Sequence, residues 1–427
     1  MLKPEDNERV TRVGKGTPMG ELFRRYWIPA LLAEELPEND GAPVRVRLLG
    51  EDLIAFRDSD GVAGLVDAYC PHRRAPMFFG RNEECGIRCV YHGWKFDRHG
   101  DCTDMPSEPA GTPLQAKVKI LAYPTFEKAG IIWTYMGAAD KKPAPPDFEW
   151  MRAPAANRFV SKTWEDCNWL QAMEGGLDTA HSSFVHNEFI GNAASLRNQD
   201  RSPKIEIERT DYGYYYVSTR ALQDGTSYCR LYHYVMPNQQ MRSGTVKFLA
   251  NGGDDDPHAV PKMDGHFWVP VDDEHTYVYN WSCAVTENGF PDGYIEFWES
   301  FMGRGKDYMI PGAYKLKRNI ANDYMIDREL QRTKTYSGIK GLNTQDYALQ
   351  EGMGPIVDRS QEFLGTSDRA IVSMRRQLIE ATHTVAQGGD APGAAPQSHS
   401  KIRPVDRILD AGQAWRDVFA EDKQARW

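Results

Sequence analysis

The sequence predicts an α+β protein, with a small antiparallel β domain followed by a larger domain built on one large antiparallel sheet. Three observations carry that prediction. Between Val44 and about Gly137, short alternating runs such as VRVRLLG, DLIAFRD and GVAGLVDAY are separated by Gly, Asp and Ser, the pattern of short paired strands. From Lys204 to Val285, six further runs follow one another with the same period of two. A helical stretch precedes those runs and helices follow them, the order of an α+β domain.

The chain has 427 residues, roughly two to three times a typical domain. Residues 1–43 read as an N-terminal helical segment in which MGELFRRYWIPALLAEEL is broken at Pro29. Gly14, Gly16 and Gly20 do not make a dinucleotide fingerprint. Met19 takes the third glycine's place and no strand precedes them, so they are turn residues. The β-rich small domain spans 44–140, and the proline-rich KKPAPPDFEW (Lys141–Trp150) leads into a larger domain, 141–385. That domain opens with a helical stretch around Asn168–Phe189. KIEIER, YGYYYVSTRA, SYCRLYHYVMP, GTVKFLA, GHFWVPVDD and HTYVYNWSCAV follow as strands of one sheet. YIEFWESFMG, NIANDYMIDRELQRTK and SDRAIVSMRRQLIEAT read as helices. Residues 386–400, AQGGDAPGAAPQSHS, read as a flexible linker, and 401–427 as a surface-docked tail.

With 51 Lys and Arg against 60 Asp and Glu, the net charge is −9. A sequence-independent nucleic-acid binder needs the opposite balance. No apolar run reaches the roughly 18 residues of a membrane span. MLKPEDNERV carries charges where a signal peptide has its apolar core. The expected compartment is the cytoplasm, where the seven cysteines stay reduced and a cysteine cluster is read first as a metal site.

YCPHRRAPMFFGRNEECGIRCVYHGWKFD holds two mixed pairs, Cys70-x-His72 and Cys89-x-x-His92, each on a turn between strands. A zinc staple could use two sulfurs and two nitrogens, but zinc pairs usually keep like ligands together. Mixing Cys and His in each loop fits a Rieske [2Fe–2S] centre, in which two cysteines hold one iron and two histidines the other. Cys85 reads as packing, and Cys102 lies outside both loops.

NWLQAMEGGLDTAHSSFVHNEF offers Asp178, His181 and His186. On a regular helix the two histidines would stand about 140° apart, so they can share an ion only if the helix ends or loosens between them, as Ser182 and Ser183 permit. Two histidines with a distant carboxylate form the facial triad of non-haem Fe(II) oxygenases.

With both motifs in one chain, the sequence resembles the terminal oxygenase (α) component of the Rieske non-haem iron aromatic-ring oxygenases over nearly its full length, most closely the phthalate dioxygenase branch. EDNERVTRVGKGTPMGELFRRYW, CVYHGWKFDRHG with MPSEP, and NWLQAMEGGLD carry that likeness. The resemblance implies a sheet packed over helices (a helix-grip fold), a homotrimer or stacked homotrimers, O2 as co-substrate and a separate NAD(P)H-dependent reductase of flavin or ferredoxin type. It implies that the third iron ligand is an aspartate followed five residues later by a glutamate. Asp346 with Glu351 has that spacing, and Asp358 is the rival. Asp178 is implied to bridge His181 of one subunit and His92 of its neighbour.

The phthalate branch acts on aromatic carboxylic acids, by ring hydroxylation or by O-demethylation of methoxylated lignin-type acids. A carboxylate calls for a fixed guanidinium in an apolar cavity. Arg220, Arg230 and Arg242 are the candidates, with His233 as a neutral donor. Alternation places Tyr228, Arg230, Tyr232 and Tyr234 on one face of their strand and Cys229, Leu231, His233 and Val235 on the other, without saying which face covers the iron. An electron-transfer Rieske protein, or a zinc-stapled ligand-binding protein, is the competing reading.

Overall fold

A computed structural model describes residues 2–188, 195–246 and 260–427. The small domain is antiparallel throughout. Val44–Leu48, Glu51–Arg57, Ala63–Asp67 and Ala122–Tyr123 form one sheet, and four three-residue strands, from Arg81–Glu83 to Cys102–Asp104, form a second. A third sheet pairs Ile131–Tyr135 with Thr125–Lys128 and with Trp27–Leu32. This last strand lies in the segment expected to be helix and loop. Pro29 does not stop it: the register shifts between Pro29 and Leu31, the bulge that a residue without an amide donor imposes. Cys85 is a turn residue and not packing. Glu84 and Cys85 both have positive φ, 48° and 57°, as a two-residue hairpin turn requires.

The strands of the larger domain are numbered β1 (Arg158–Glu165), β2 (Lys204–Arg209), β3 (Gly213–Ala221), β4 (Ser227–Val235), β5 (Gln239–Gly244), β6 (Lys262–Pro270), β7 (Thr276–Ala284) and β8 (Val405–Leu409). They form one antiparallel sheet in the order β1-β7-β6-β5-β4-β3-β2, with β8 paired to β4. The expected α+β architecture is therefore present. In detail, β1 was not anticipated, and β5 lies earlier than the expected strand GTVKFLA, whose residues 247–250 fall outside the described residues. The run NIANDYMIDRELQRTK is not one helix. Asp323 and Tyr324 take left-handed conformations and only Arg328–Thr333 is α-helical.

One face of the sheet is covered by helix α1 (Trp169–Leu177), with α2 (Leu342–Gly352) and α3 (Arg369–Ala386) beside it. Asn168 caps α1, its Oδ1 accepting from the Leu170 amide at 3.1 Å. Trp169, Leu170, Ala172, Met173 and Leu177 are buried. The last turn of α1 is Gly175-Gly176, and a Cβ on Gly176 would stand 2.2 Å from Trp268 Cη2 on β6. Glycine is needed there for the helix backbone to reach the sheet. Buried Glu174 is held by Arg359 Nη2 at 2.9 Å and Arg375 Nε at 2.6 Å, so α1 is tied by charge to the chain following α2 and to α3.

The opposite face is covered by the C-terminal tail. Val405, Leu409, Trp415 and Phe419 pack with Val217, Cys229 and Leu231, because those spaced apolar residues find a dry sheet face to bury. Residues 386–400 are not a loose linker either. The Tyr26 hydroxyl donates to the Pro392 carbonyl at 2.6 Å, and the buried His399 ring stacks on Phe148. No helix among the described residues is long and apolar enough to cross a membrane.

Replacing Gly176 by Ala should lower stability by about 1–3 kcal/mol, the usual cost of overpacking. Gly352→Ala, where an added Cβ meets nothing within 4 Å, should stay within about 0.5 kcal/mol of the parent. Urea unfolding midpoints of the two variants measure the difference.

Candidate metal centres

Two loops of the small domain bring Cys70, His72, Cys89 and His92 together on one backbone design. The Cys70 amide donates to the Ala75 carbonyl and the Cys70 carbonyl accepts from the Arg74 amide, both at 2.9 Å. The Cys89 amide donates to the Trp94 carbonyl and the Cys89 carbonyl accepts from the Gly93 amide, again at 2.9 Å. Arg74 and Gly93 hold equivalent places and both have positive φ, 57° and 80°. Cysteine thus occupies the same position in each loop, while the histidine stands two residues on in the first and three in the second.

Cys70 and Cys89 are buried. Burial pushes the Cys70 thiol up to about 11, so a thiolate at neutral pH needs a bound cation beside it. His72 stacks on Trp94 with ring centroids 4.3 Å apart, and meets His92 edge to face at 4.5 Å. His72 Nδ1 is buried without a hydrogen-bond partner among the described residues. Two thiols, two imidazoles and an orphaned ring nitrogen fit the mixed ligation of a [2Fe–2S] centre.

The second site lies where α1 ends. The helix stops at Leu177, before either histidine, so the expected helix through residue 188 is absent and Phe189 lies outside the described residues. Asp178 caps the break: its Oδ1 accepts from the Ala180 amide at 2.7 Å. A single 3-10 turn, His181–Ser183, follows. The released chain brings His181 Nε2 and His186 Nε2 to 3.1 Å. Asp346 on α2 completes the group, its Oδ1 lying 3.2 Å from His186 Nε2 and 3.6 Å from His181 Nε2. One ligand atom from each lies within 4.8 Å of the others.

Asp178 is not in that group. Its Oδ2 faces the far nitrogen of His181, Nδ1, at 3.5 Å. Asp358 is exposed and accepts from Ser360. His186 Nδ1 donates to Gln345 Oε1 at 2.7 Å, because the Gln345 amide nitrogen is committed to the Ile339 carbonyl. That leaves His186 Nε2 as the free donor of an electron pair. Burial opposes charge on Asp346, yet the two imidazoles hold its pKa below the usual carboxylate value. Burial likewise opposes a charged His181, but Asp178 and Asp346 hold its pKa above the usual one. Two imidazoles and a half-buried carboxylate, with cationic charge favoured between them, fit a divalent metal ion.

A cavity of about 80 Å³ adjoins this group. Asp178, Trp268 and Val278 line it, and of the four substrate candidates it is reached by Arg230 and Arg242. The even-numbered face of β4 is therefore the one over the metal group. Arg220 is a correction. Its guanidinium donates to the Thr179 carbonyl at 2.8 Å and to Ser183 Oγ at 3.0 Å, bracing the turn that carries His181. His233 is another, because its odd-numbered position faces away, toward Tyr212 and the Arg403 carbonyl. Arg197, Gln240 and His266 line the cavity too and were not anticipated. Gln240 and His266 share its sheet face by alternation, but no motif marks them.

Residues 26–124 match the Rieske [2Fe-2S] domain family, and residues 134–426 match the family described as LigXa C-terminal domain like. The phthalate 4,5-dioxygenase oxygenase subunit of Pseudomonas putida is 38% identical, covering 98% of this chain and 95% of its own. The 5,5'-dehydrodivanillate O-demethylase oxygenase subunit of a Sphingobium species is 33% identical, covering 100% and 90%. In fold the chain is similar to the structure of the NdmA QL mutant with caffeine from Pseudomonas putida CBB5, with a TM-score of 0.62 at 18% identity over 92% of this chain and 99% of that one. These matches span both halves and set aside the electron-transfer and zinc-stapled readings. The chain belongs to the Rieske non-haem iron oxygenases as a terminal oxygenase component, an oxidoreductase whose cofactors are a Rieske [2Fe–2S] cluster and a mononuclear iron and whose co-substrate is O2.

Proposed function

We propose that this oxygenase takes electrons from a separate NAD(P)H-dependent reductase to oxidise an aromatic carboxylic acid, by ring hydroxylation or by O-demethylation of a methoxylated acid. One observation carries the substrate class: the cavity beside His181, His186 and Asp346 combines arginines with the apolar walls of Trp268 and Val278. Arg242 is held through Nε by Asp264 on β6, so its terminal nitrogens remain for a carboxylate. A fixed guanidinium fork suits that group better than an ammonium would. The activities for which the two relatives are named, on phthalate and on dehydrodivanillate, support the reading.

In this reading Cys70 and Cys89 would hold one iron of the cluster and His72 and His92 the other, while His181, His186 and Asp346 would hold the mononuclear iron. The chemistry supplied there is the binding and reduction of dioxygen beside the substrate. The arginines orient the acid, Trp268 and Val278 keep water off the ring, and Gln345 fixes the tautomer of His186. Asp178 holds His181 from behind. A homotrimer would set His92 of a neighbouring subunit against the same carboxylate and complete the path for the electron. Substrate-dependent O2 and NADH consumption across a panel of aromatic acids, with product identification, tests the function. Consumption uncoupled from every acid would refute it.

His72→Ala and Cys89→Ala should abolish the Rieske EPR signal of the dithionite-reduced protein and leave mononuclear iron partly bound. His181→Ala, His186→Ala and Asp346→Ala should do the reverse, keeping the signal and making no product. Asp358→Ala should behave as the parent does. Iron analysis beside EPR decides between these patterns, and loss of both kinds of iron in any one variant contradicts two separate sites.

Asp178→Asn should bind both metals and still accept electrons at the cluster. Its single-turnover cluster reoxidation with substrate and O2 should slow by about 10- to 100-fold. Reoxidation at the parent rate, with normal product, would show Asp178 to be an ordinary helix cap.

A further inference from the structure

The cavity holds more than arginines. Gln240 on β5 and His266 on β6 are direct cross-strand partners, so their side chains stand side by side on the face over the metal group, and both line the cavity. The Gln240 amide is oriented without ambiguity. Its Nε2 donates to the Gly176 carbonyl at 2.7 Å and to the Tyr216 hydroxyl at 3.0 Å. Its Oε1 is buried with no hydrogen-bond partner among the described residues, on a side chain that is 0% exposed.

The tautomer of His266 is equally determined. Asn280 Nδ2 donates to the Val278 carbonyl at 3.3 Å, which turns Asn280 Oδ1 toward His266 Nδ1 at 2.8 Å. The proton of a neutral imidazole must then sit on Nδ1, and Nε2 is an acceptor. Burial, with the charges of Arg242 and Arg304 nearby, lowers the pKa of His266 to about 3, so the ring is neutral throughout the working pH range.

Two acceptors therefore stand together in a cavity whose other polar groups include three guanidiniums. A carboxylate satisfies the arginines and can do nothing for Gln240 Oε1 or His266 Nε2. A hydroxyl can, because its O–H donates to an acceptor. Arg242 lies two residues from Gln240 on β5, hence on the same face and roughly 7 Å along the strand. That separation is of the order of an aromatic ring between two substituents.

We propose that Gln240 Oε1 and His266 Nε2 form a hydroxyl-accepting subsite, and that the substrate is an aromatic acid bearing a ring hydroxyl meta or para to its carboxylate. The proposal rests on the aromatic-acid reading above and narrows it. A buried acceptor left unpaired is costly, so discrimination against the acid lacking the hydroxyl follows from the site itself.

The test is equilibrium binding to the anaerobic holoenzyme, using benzoate, 3-hydroxybenzoate and 4-hydroxybenzoate as probes. One of the hydroxylated acids should bind at least about 10-fold more tightly than benzoate. His266→Phe should bring the two within about 3-fold of each other. The comparison on the parent protein needs no variant and so is immune to misfolding. If hydroxylated and plain acids bind the parent equally, the subsite is refuted and the aromatic-acid reading stands. If the preference survives His266→Phe, the acceptor lies elsewhere and the assignment is overturned. If none of the acids binds, both readings fall together.

Discussion

The close approach of α1 to the sheet sets the position of everything at the catalytic end of the molecule. Gly176 lets the helix backbone lie against Trp268 with no side chain between them, and the Glu174 carboxylate, shared by Arg359 and Arg375, stops the helix from rotating or sliding. An interior packed to crystal-like density does not deform gradually. A helix seated this way therefore delivers its C-terminal end, with Asp178 and the turn bearing His181, to one place. Arg220 then secures that turn through the Thr179 carbonyl and Ser183. The metal group inherits its geometry from packing a full helical turn away.

Three buried carboxylates show how charge is held inside this molecule. Glu174, Glu149 and Asp406 are buried carboxylates whose partners are supplied by arginines, hydroxyls and backbone amides. Burying a charge or a polar atom without such partners is expensive, which is why these networks are complete. His72 Nδ1 and Gln240 Oε1 have no such partner among the described residues, and they border a metal centre and the cavity beside one.

The two cluster loops show how a small domain can make a precise site from little secondary structure. Matching backbone hydrogen bonds about Cys70 and Cys89, with a left-handed residue in the same place of each loop, hold the two turns in shape. At Gly93 a Cβ would also stand 2.6 Å from Pro106 Cγ, so that loop accepts only glycine. Trp94 supplies the flat surface on which His72 rests. Rigid turns keep the imidazoles in place without a helix or a long strand beneath them.

Local periodicity and composition determined the α+β class, five of the long strand runs in outline and the two mixed Cys–His pairs, because each depends on neighbours within a few residues. The spacing of Asp178, His181 and His186 was equally local, and so was the need for the helix to loosen, which follows from 100° per residue. Tertiary structure alone decided the rest. Asp346 and Asp358 are both carboxylates in the same region of sequence, and only the seating of α2 against α1 puts Asp346 beside the histidines. The pattern of β4 divided its side chains into two faces, but which face met the cavity depended on α1 covering one side and the tail covering the other. Arg220 and Arg230 are alike in sequence and are separated in role by strand position. The residues 405–419 looked like a surface tail because their apolar side chains are sparse, and they became a strand and a helix because β4 had an unpaired edge and a dry face to offer them. Gln240 and His266 meet only through the register of β5 and β6, a pairing across 26 residues that no local pattern in either strand records.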